Sequence, residues 1–495
     1  MKKIWVFILF ISLTGCFSSS DKDIYHYKID GLVNKGTWTI MIYMCADNNL
    51  ETYSLLDVQE MVEGFKTDNG YQIIIMLDRA DGSVQGSTNE IGPFEENFSD
   101  TRLYMLVDNG IKRLSGKDHF PEITTSGAFE ADMGDPENLK KFITFCKNEY
   151  KADKYALFFW NHGTGPRSFS NSLPEQRAIC VDYGANDSSL GTGEISAYLS
   201  KNESVELIGF DACYMGSLEV AYQFAPQHEG FSAKIMVASA DEEWAPGWNY
   251  KYILNRLSKQ NGDRYINEKN YVIEETENKI IYNPLNMNAA DFASIIVEEY
   301  YAAVTEQDAF DQVFAAYNLY NIYEIKNIFD SYSGKISLNK EEIVNNRNNF
   351  VHYFNFDSDF GQLETPFFDY YDIVNHLEKN LIIVKGDLSN VVDEAVLFSF
   401  AGSSLRHKGF VNGCSGLSIF FPDGDTLFDN GNEYFSCWDY QWWYSPFVLE
   451  NSDGYGNLYW CRDNASEGNG IVENWFEILE YWFGEESLNE NNYIY

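Results

Sequence analysis

Nearly continuous apolar runs alternate with amphipathic segments along the first half of this chain, and this alternation constrains the fold most. Runs without a polar residue at every second position are typical of strands buried on both faces of a sheet. Strands that alternate with helices predict an α/β fold with a mostly parallel sheet, covered by helices on both faces. The buried strands are predicted at 38–44, 71–77, 155–160, 205–210 and 234–238, with a β-hairpin near 101–107.

The character of the chain changes after about residue 260, where helical patterns dominate. Helices are predicted near 288–305, 309–333, 367–379 and 388–402, and one apolar strand at 416–422. A chain of 495 residues is longer than one average domain needs. The predicted division is a leader at 1–15, a tether at 16–35, a core at 36–255 and a helix-rich C-terminal region at 256–495.

The N-terminus has the composition of a secretion signal. Two lysines precede an apolar run that ends at Leu13, which is too short to span a bilayer. The following Thr14-Gly15-Cys16 resembles the bacterial lipoprotein box, in which the leader is cut before a cysteine that carries diacylglycerol. The expectation is an extracytoplasmic protein of the bacterial cell envelope, anchored to a membrane through Cys16. An ordinary signal peptide with a chance cysteine is the alternative.

The formal net charge of −40 excludes nucleic acid as a natural partner, because a phosphate backbone would be repelled. An acidic protein attracts cations, including peptides rich in Lys and Arg. The charge also serves simple solubility, since the acids are spread along the chain rather than gathered in a tail.

Polar residues with chemical potential follow three predicted strands: His162, Cys213 and Asp241. The carboxyl ends of parallel strands gather at one edge of a sheet, where functional residues collect. A cysteine nucleophile needs a base or cation that favours its thiolate, and a histidine can supply this. A helix is expected to start directly after Cys213, so that its amides would stabilise a thiolate. A packed core thiol and a structural histidine remain the alternatives at these positions.

These segments resemble the clostripain family of cysteine peptidases, in the larger group that includes caspases, gingipains and legumains. The resemblance rests on WTIMIYM at 38–44 with ADNNL at 46–50, WNHG at 160–163, GFDACYM at 209–215 and GLSIFFP at 416–422. It implies a caspase-like α/β core. By physics alone, Asp47, Asn48 and Asn49 are interpreted as caps of a helix that continues to about Phe65.

The resemblance also implies the roles of individual residues. His162 would be the general base and acid, Cys213 the nucleophile, and the amides of Gly163 and Cys213 the oxyanion hole. Cleavage after Arg or Lys is typical of the family, and its acidic specificity residues would correspond to Asp211 and Asp241. A helix cap is the alternative role for Asp211. Asp241 is followed by Glu242 and Glu243, so the acid that faces the pocket could be any of the three.

Some family members are zymogens that cut themselves in the loop between the catalytic His and Cys. That loop holds Arg167 and Arg177 here, and the bond between Arg177 and Ala178 is the predicted cut. No cofactor is required. Calcium dependence is known in the family and the many acids permit a site, but no EF-hand spacing occurs, so no metal ligands are assigned.

Three other functions compete with a cysteine endopeptidase acting on peptides or proteins with basic residues. The first is a non-catalytic surface lipoprotein that binds a peptide or glycan through the aromatic, acidic C-terminal region. A serine hydrolase is disfavoured because the G-x-S-x-G elbow is missing. A zinc protease is disfavoured because HExxH is missing.

Overall fold

A computed structural model of the chain describes most of the core and part of the C-terminal region. The described residues are 36–67, 70–82, 84, 86–166, 179–185, 188–257, 287–309, 311–353, 366–406, 409–411, 413–422, 455–466 and 469–483. The predicted lipid-attachment residue Cys16 and the predicted cleavage pair Arg177 and Ala178 lie outside these ranges.

A ten-stranded sheet forms the centre of the molecule. Its order is β13-β12-β10-β9-β8-β5-β1-β2-β3-β4, and two further two-stranded sheets pair β11 with β14 and β6 with β7. The strands are β1 Gly36–Ala46, β2 Tyr71–Arg79, β3 Thr101–Val107, β4 Gly110–Leu114, β5 Ala152–Trp160, β6 Ile179–Asp182, β7 Ser188–Leu190, β8 Val205–Asp211, β9 Ala233–Ala238, β10 Val313–Asn318, β11 Phe367–Asp369, β12 Val396–Ala401, β13 Ser404–Arg406 and β14 Ser418–Phe420.

The middle of the sheet is parallel, as the apolar runs predict. Strands β2, β1, β5, β8 and β9 are neighbours in this order, and each pair is parallel. At one side of this group β3 pairs antiparallel with β2, and at the other side β10 pairs antiparallel with β9. From β1 the chain proceeds to β2 on one side, and from β5 it proceeds to β8 and β9 on the other. The boundary between β1 and β5 is therefore a topological switch point, and a crevice is expected outside the carboxyl ends of these two strands.

Helices cover the sheet and complete two apolar cores, one on each face. No helix among the described residues is long and apolar enough to cross a membrane. The helices are α1 Glu51–Gly64, α2 Pro136–Glu149, α3 Thr192–Tyr198, α4 Leu218–Gln223, α5 Tyr250–Arg256, α6 Ala289–Glu306, α7 Leu319–Ser337, α8 Lys340–Val344, α9 Tyr370–Lys379, α10 Ser389–Ala395, α11 Tyr459–Arg462 and α12 Trp475–Phe483, with 3-10 turns at Arg347–Asn349 and Tyr455–Asn457.

The C-terminal region contributes strands as well as helices. The segment 367–379, predicted as helical, begins with the short strand β11. The segments 309–333 and 388–402, also predicted as helical, contain β10 and β12, so all three predictions were wrong in part. Strands β10 and β12 extend the ten-stranded sheet, with β10 antiparallel to β9 and β12 antiparallel to β10. The sheet thus runs across the predicted boundary at residue 255, and the division into two units stays a prediction.

Strand β14 packs behind the loop that follows β8. Ser418 donates its backbone N–H to the carbonyl oxygen of Gly216 at 2.9 Å. Buried Glu219 accepts hydrogen bonds from the amide of Phe420 and the hydroxyl of Tyr455, each at 2.9 Å. The C-terminal region therefore fixes the position of the segment that contains Cys213.

Candidate active site

A cleft of about 680 Å³ opens at the carboxyl edge of the sheet. All of the predicted strand-end residues line it, which places them in one site: His162, Asp211, Cys213 and Asp241. Its remaining lining residues are Leu50, Trp160, Asn161, Ala212, Tyr214, Glu242, Glu243, Trp244, Ala245, Gly247, Asp311, Gln312 and His352.

The pairing register of β5 and β8 gives His162 and Cys213 equivalent positions just beyond the ends of these two neighbouring strands. Trp160 of β5 is paired with Asp211 of β8, and His162 and Cys213 each follow the end of their strand by two positions. Neighbouring strands lie about 4.8 Å apart. The two backbones stay close beyond the sheet, because a Cβ atom added to Gly163 would lie 2.3 Å from the carbonyl oxygen of Cys213. Gly163 therefore has to be a glycine for this approach.

The imidazole of His162 contacts the turn after β1. Its Nε2 lies 2.6 Å from Oδ1 of Asn49. An amide oxygen can only accept a hydrogen bond, so this contact assigns the proton to Nε2 and leaves Nδ1 as the basic nitrogen. Burial lowers the pKa of His162 to about 4, so the ring is neutral at physiological pH.

Cys213 is half-buried, and its sulfur accepts a hydrogen bond from the backbone N–H of Glu243 at 3.2 Å. Burial raises the pKa of its thiol to about 12, and Glu243, Glu242 and Asp241 add to the rise. The prediction that a helix starts directly after Cys213 was wrong. Helix α4 begins at Leu218 and is capped by Ser217, so no helix N-terminus stabilises a thiolate here.

The next residue, Tyr214, has a left-handed backbone with φ of 58°. Non-glycine residues rarely adopt this conformation, and it concentrates at functional turns. The Tyr214 amide is held by the carbonyl oxygen of Asp241 at 3.0 Å, and its ring stacks on Phe367 with centroids 5.8 Å apart. The turn that contains the thiol is thus fixed by the loop that follows β9 and by Phe367 of the C-terminal region.

Asp211 is a buried acid that lines the cleft rather than a helix cap. Its Oδ2 accepts a hydrogen bond from the hydroxyl of Tyr250 at 2.8 Å. Gly247, with φ of 61°, lies against its other oxygen, and a Cβ there would come within 2.5 Å of Oδ1. Burial raises the pKa of Asp211 to about 7, and burial likewise raises the pKa of Asp241 to about 7.

Glu243 is the site residue that the sequence did not single out. Its Oε2 accepts the backbone N–H of Ala212 at 2.7 Å while its own N–H contacts the sulfur of Cys213. Burial raises its pKa well above the usual value, and nearby Asp211 contributes. The run of acids at 241–243 was the available signal, but the sequence cannot say which of them turns inward.

A parallel sheet with a thiol and an imidazole in one cleft at its carboxyl edge is the arrangement of a caspase-like cysteine peptidase. Sequence comparison agrees: the profile of the Clostripain family (Peptidase C11) matches residues 42–482. The chain is also 37% identical over 470 residues to clostripain of Hathewaya histolytica, covering 90% of this chain and 86% of that protein. The chain therefore belongs to the clostripain family and is a cysteine-type endopeptidase.

Solved structures share the fold. An inactive zymogen C11 protease from Parabacteroides distasonis superposes with a TM-score of 0.53 at 17% identity, over 79% of this chain and 94% of that one. A secreted C11 cysteine protease from Bacteroides thetaiotaomicron, bound to an irreversible peptide inhibitor, gives a TM-score of 0.51 at 15% identity, over 82% and 99% of the two chains. Both confirm the predicted caspase-like α/β class.

Proposed function

We propose that His162 and Cys213 form the catalytic dyad of a lipid-anchored endopeptidase that cleaves after Arg or Lys. The observation that carries this proposal is that both side chains line one cleft, which several acidic side chains also line. Nδ1 of His162 accepts the thiol proton as the sulfur attacks the scissile carbonyl carbon. The amides of Gly163 and Cys213 stabilise the oxyanion, and His162 then protonates the leaving amine. Water hydrolyses the resulting thioester, and no prosthetic group takes part.

The acids of the cleft support a basic residue before the scissile bond. Asp211, Asp241 and Glu243 lie in or beneath the cleft, and a guanidinium or ammonium group would neutralise them. Carboxylates also raise the pKa of the Cys213 thiol. A bound cation would offset that effect, so a basic substrate would make the Cys213 thiol easier to ionise.

Hydrolysis of an arginine peptide should rise with pH around neutrality. Asp211 and Asp241, each with a pKa of about 7, must be ionised to bind a cation, so kcat/KM falls as pH drops through about 7. His162 and Cys213, with pKa values of about 4 and 12, do not titrate there. The measurement is kcat/KM from about pH 5.5 to about 8.5, with and without thiol alkylation. The substrates are fluorogenic peptides with Arg, Lys, Asp or Leu before the scissile bond.

The expected result is activity on Arg and Lys peptides only, which alkylation abolishes. This activity should rise with pH, with a midpoint near the pKa of the two acids. A profile that is flat across neutrality, or equal hydrolysis of the Leu peptide, would contradict the basic specificity. Activity that survives alkylation would contradict the thiol mechanism itself.

We also propose that the chain is a zymogen cut between Arg177 and Ala178. Strand β6 begins one residue after this bond and is buried along its whole length. Val181 exchanges hydrogen bonds with the side chain of Asn161, so the two fragments should remain associated. Arg177→Ala should block the cut, whereas Arg167→Ala, in the same loop, should leave it intact. N-terminal sequencing of the second fragment should start at Ala178, and a fully active single chain would reject the proposal.

The proposed lipid anchor at Cys16 is consistent with the basic and apolar leader before it. Diacylglycerol supplies two acyl chains, which is what stable membrane attachment requires. In a bacterial host, Cys16→Ser should move the protein from the membrane fraction to the soluble envelope fraction. Mass spectrometry of the mature N-terminus should find a lipid-modified Cys16, and an unmodified N-terminus at another position would exclude the anchor.

A further inference from the structure

Two cysteines that the proposed peptidase reaction does not use lie next to each other in the core below the catalytic edge. Cys45 is the last residue but one of β1, and Cys180 is the second residue of β6. Both are fully buried thiols of the same apolar core. The thiol of Cys45 is close enough to the thiol of Cys180 for a hydrogen bond between the two side chains. The fold thus brings together two sulfur atoms from distant parts of the chain.

Two asparagine side chains hold the backbones of β1 and β6 next to each other. The amide group of Asn48 donates to the carbonyl oxygen of Cys45 at 2.9 Å and to that of Val181 at 3.0 Å. The amide group of Asn161 donates to the same two oxygens. Because both carbonyl oxygens share both donors, the end of β1 and the start of β6 are fixed side by side.

The backbone of Cys180 departs from the strand conformation, with φ of 59°. Neighbouring residues of a regular strand point to opposite faces. Ile179 and Cys180 nevertheless belong to the same apolar core, which also contains Cys45. A left-handed backbone at a residue other than glycine persists only where the surroundings compensate its strain. A covalent bond from the sulfur of Cys180 would provide such compensation.

We propose that Cys45 and Cys180 form a disulfide bond in the exported protein. One S–S bond forms and two S–H bonds break, and the two electrons and two protons reduce a second disulfide to two thiols. That second disulfide is the oxidised form of glutathione or of a thiol–disulfide oxidoreductase. Disulfides form and persist in the extracytoplasmic compartments to which the predicted leader at 1–15 would direct the chain.

The bond has to form while the chain folds. Burial, together with the neighbouring thiol of Cys180, raises the pKa of the Cys45 thiol well above its usual value. The thiolate is the form that attacks a disulfide, so the buried pair reacts slowly once it is enclosed. The folded, reduced protein should therefore resist oxidation that the unfolded chain undergoes readily.

The disulfide would also link the two fragments of the proposed zymogen. Cys180 lies two residues after Ala178 and belongs to the second fragment, whereas Cys45 belongs to the first. The cut chain would then be held by a covalent bond as well as by packing. This consequence rests on the proposed cut, but the pairing of the two cysteines does not.

Peptide mapping tests the pairing without activity or self-cleavage. The full chain with Cys213→Ala is exported to the periplasm of a bacterial host, denatured, alkylated without reduction and digested with trypsin. Cleavage after Lys and Arg releases Cys45 in peptide 36–66 and Cys180 in peptide 178–201, and each peptide has one cysteine. The two peptides should be found joined, and a reductant should separate them. Recovery of both as separate alkylated peptides, or a link from either to another cysteine, would overturn the proposal.

Non-reducing gels of the cut protein provide a second readout. The unreduced protein should run as one band and separate into two bands on reduction, whereas Cys45→Ser should give two bands without reductant. Cys146→Ser is the matched control, because it removes another fully buried thiol of the same core and should leave one band. Two bands in the unreduced wild type would contradict the link.

The melting temperature separates a disulfide from simple packing of two thiols. A reductant should lower the melting temperature of the oxidised parent by about 3–8 °C, because the unfolded chain is no longer constrained. The variant with both Cys45→Ala and Cys180→Ala should melt at the same temperature with and without the reductant. A parent that is equally indifferent to the reductant would contradict the proposal.

Discussion

Cys213→Ala will lower kcat on arginine peptides by about 10⁴-fold or more, to the background of the assay. The reason is that no other group can form the thioester, whereas binding of the peptide to the acids of the cleft is retained. The measurement is kcat and KM on one arginine peptide, with the circular dichroism spectrum as a check of folding. His162→Ala should cause a loss of similar size, and the double variant should lose no more than either single one.

Cys414 offers the matched control for this result. It is the other half-buried free thiol among the described cysteines, and burial raises the pKa of its thiol to about 12, as for Cys213. Its sulfur lies 3.2 Å from the hydroxyl of Tyr353, and Cys414 is not among the residues that line the cleft. Cys414→Ala should keep wild-type kinetics. Retained activity in Cys213→Ala would reject the proposed nucleophile.

Asp211→Asn is expected to lower kcat/KM on arginine peptides by about 10²- to 10³-fold, while a leucine peptide changes far less. The substitution keeps the shape of the side chain and its position beside Tyr250 but removes a buried charge that a substrate guanidinium would neutralise. The measurement is the ratio of kcat/KM for the Arg peptide to that for the Leu peptide.

Glu242→Gln provides the comparison, because this neighbouring acid lines the same cleft but is exposed. Its charge is screened by solvent, so a change of only a few-fold is expected. Asp241→Asn should fall between the two, since Asp241 is half-buried. Equal losses on both peptides in Asp211→Asn would mean that the residue only supports the fold of the cleft.

The centre of the fold and the placement of His162 and Cys213 in one cleft were predictable because both depend on strands. The apolar runs identified β5 and β8, and parallel strands place their carboxyl ends at one edge. What the sequence could not provide was the strand register. Trp160 pairs with Asp211, and this pairing gives His162 and Cys213 equivalent positions just beyond the two strands.

Strands β10 and β12 of the C-terminal region were mistaken for helix because short apolar runs fit either structure. The run Val-Phe-Ala-Ala-Tyr of β10 lacks a clear period, and it becomes a strand because β9 offers a free edge. The same holds for β12, which pairs with β10. Such partners are distant in sequence, so local propensity does not show them.

Asp47, Asn48 and Asn49 illustrate the limit for single side chains. Their residue types predicted helix caps, but helix α1 starts at Glu51 with Leu50 as its N-cap and no side-chain cap. Asn48 instead donates to the carbonyl oxygens of Cys45 and Val181, and Asn49 contacts His162. Short polar side chains serve caps and sites equally well, and only the packed structure distinguishes the two uses.

Affinity labelling of the intact protein tests the central claim most directly. A peptide with arginine followed by a chloromethyl ketone should add once per chain, and peptide mapping by mass spectrometry should place the adduct on Cys213. His162→Ala should slow this labelling by about 10²-fold or more, because the imidazole no longer accepts the thiol proton. An adduct on Cys414 or another cysteine, or labelling that is indifferent to His162, would contradict the proposed pairing of the two residues in one cleft.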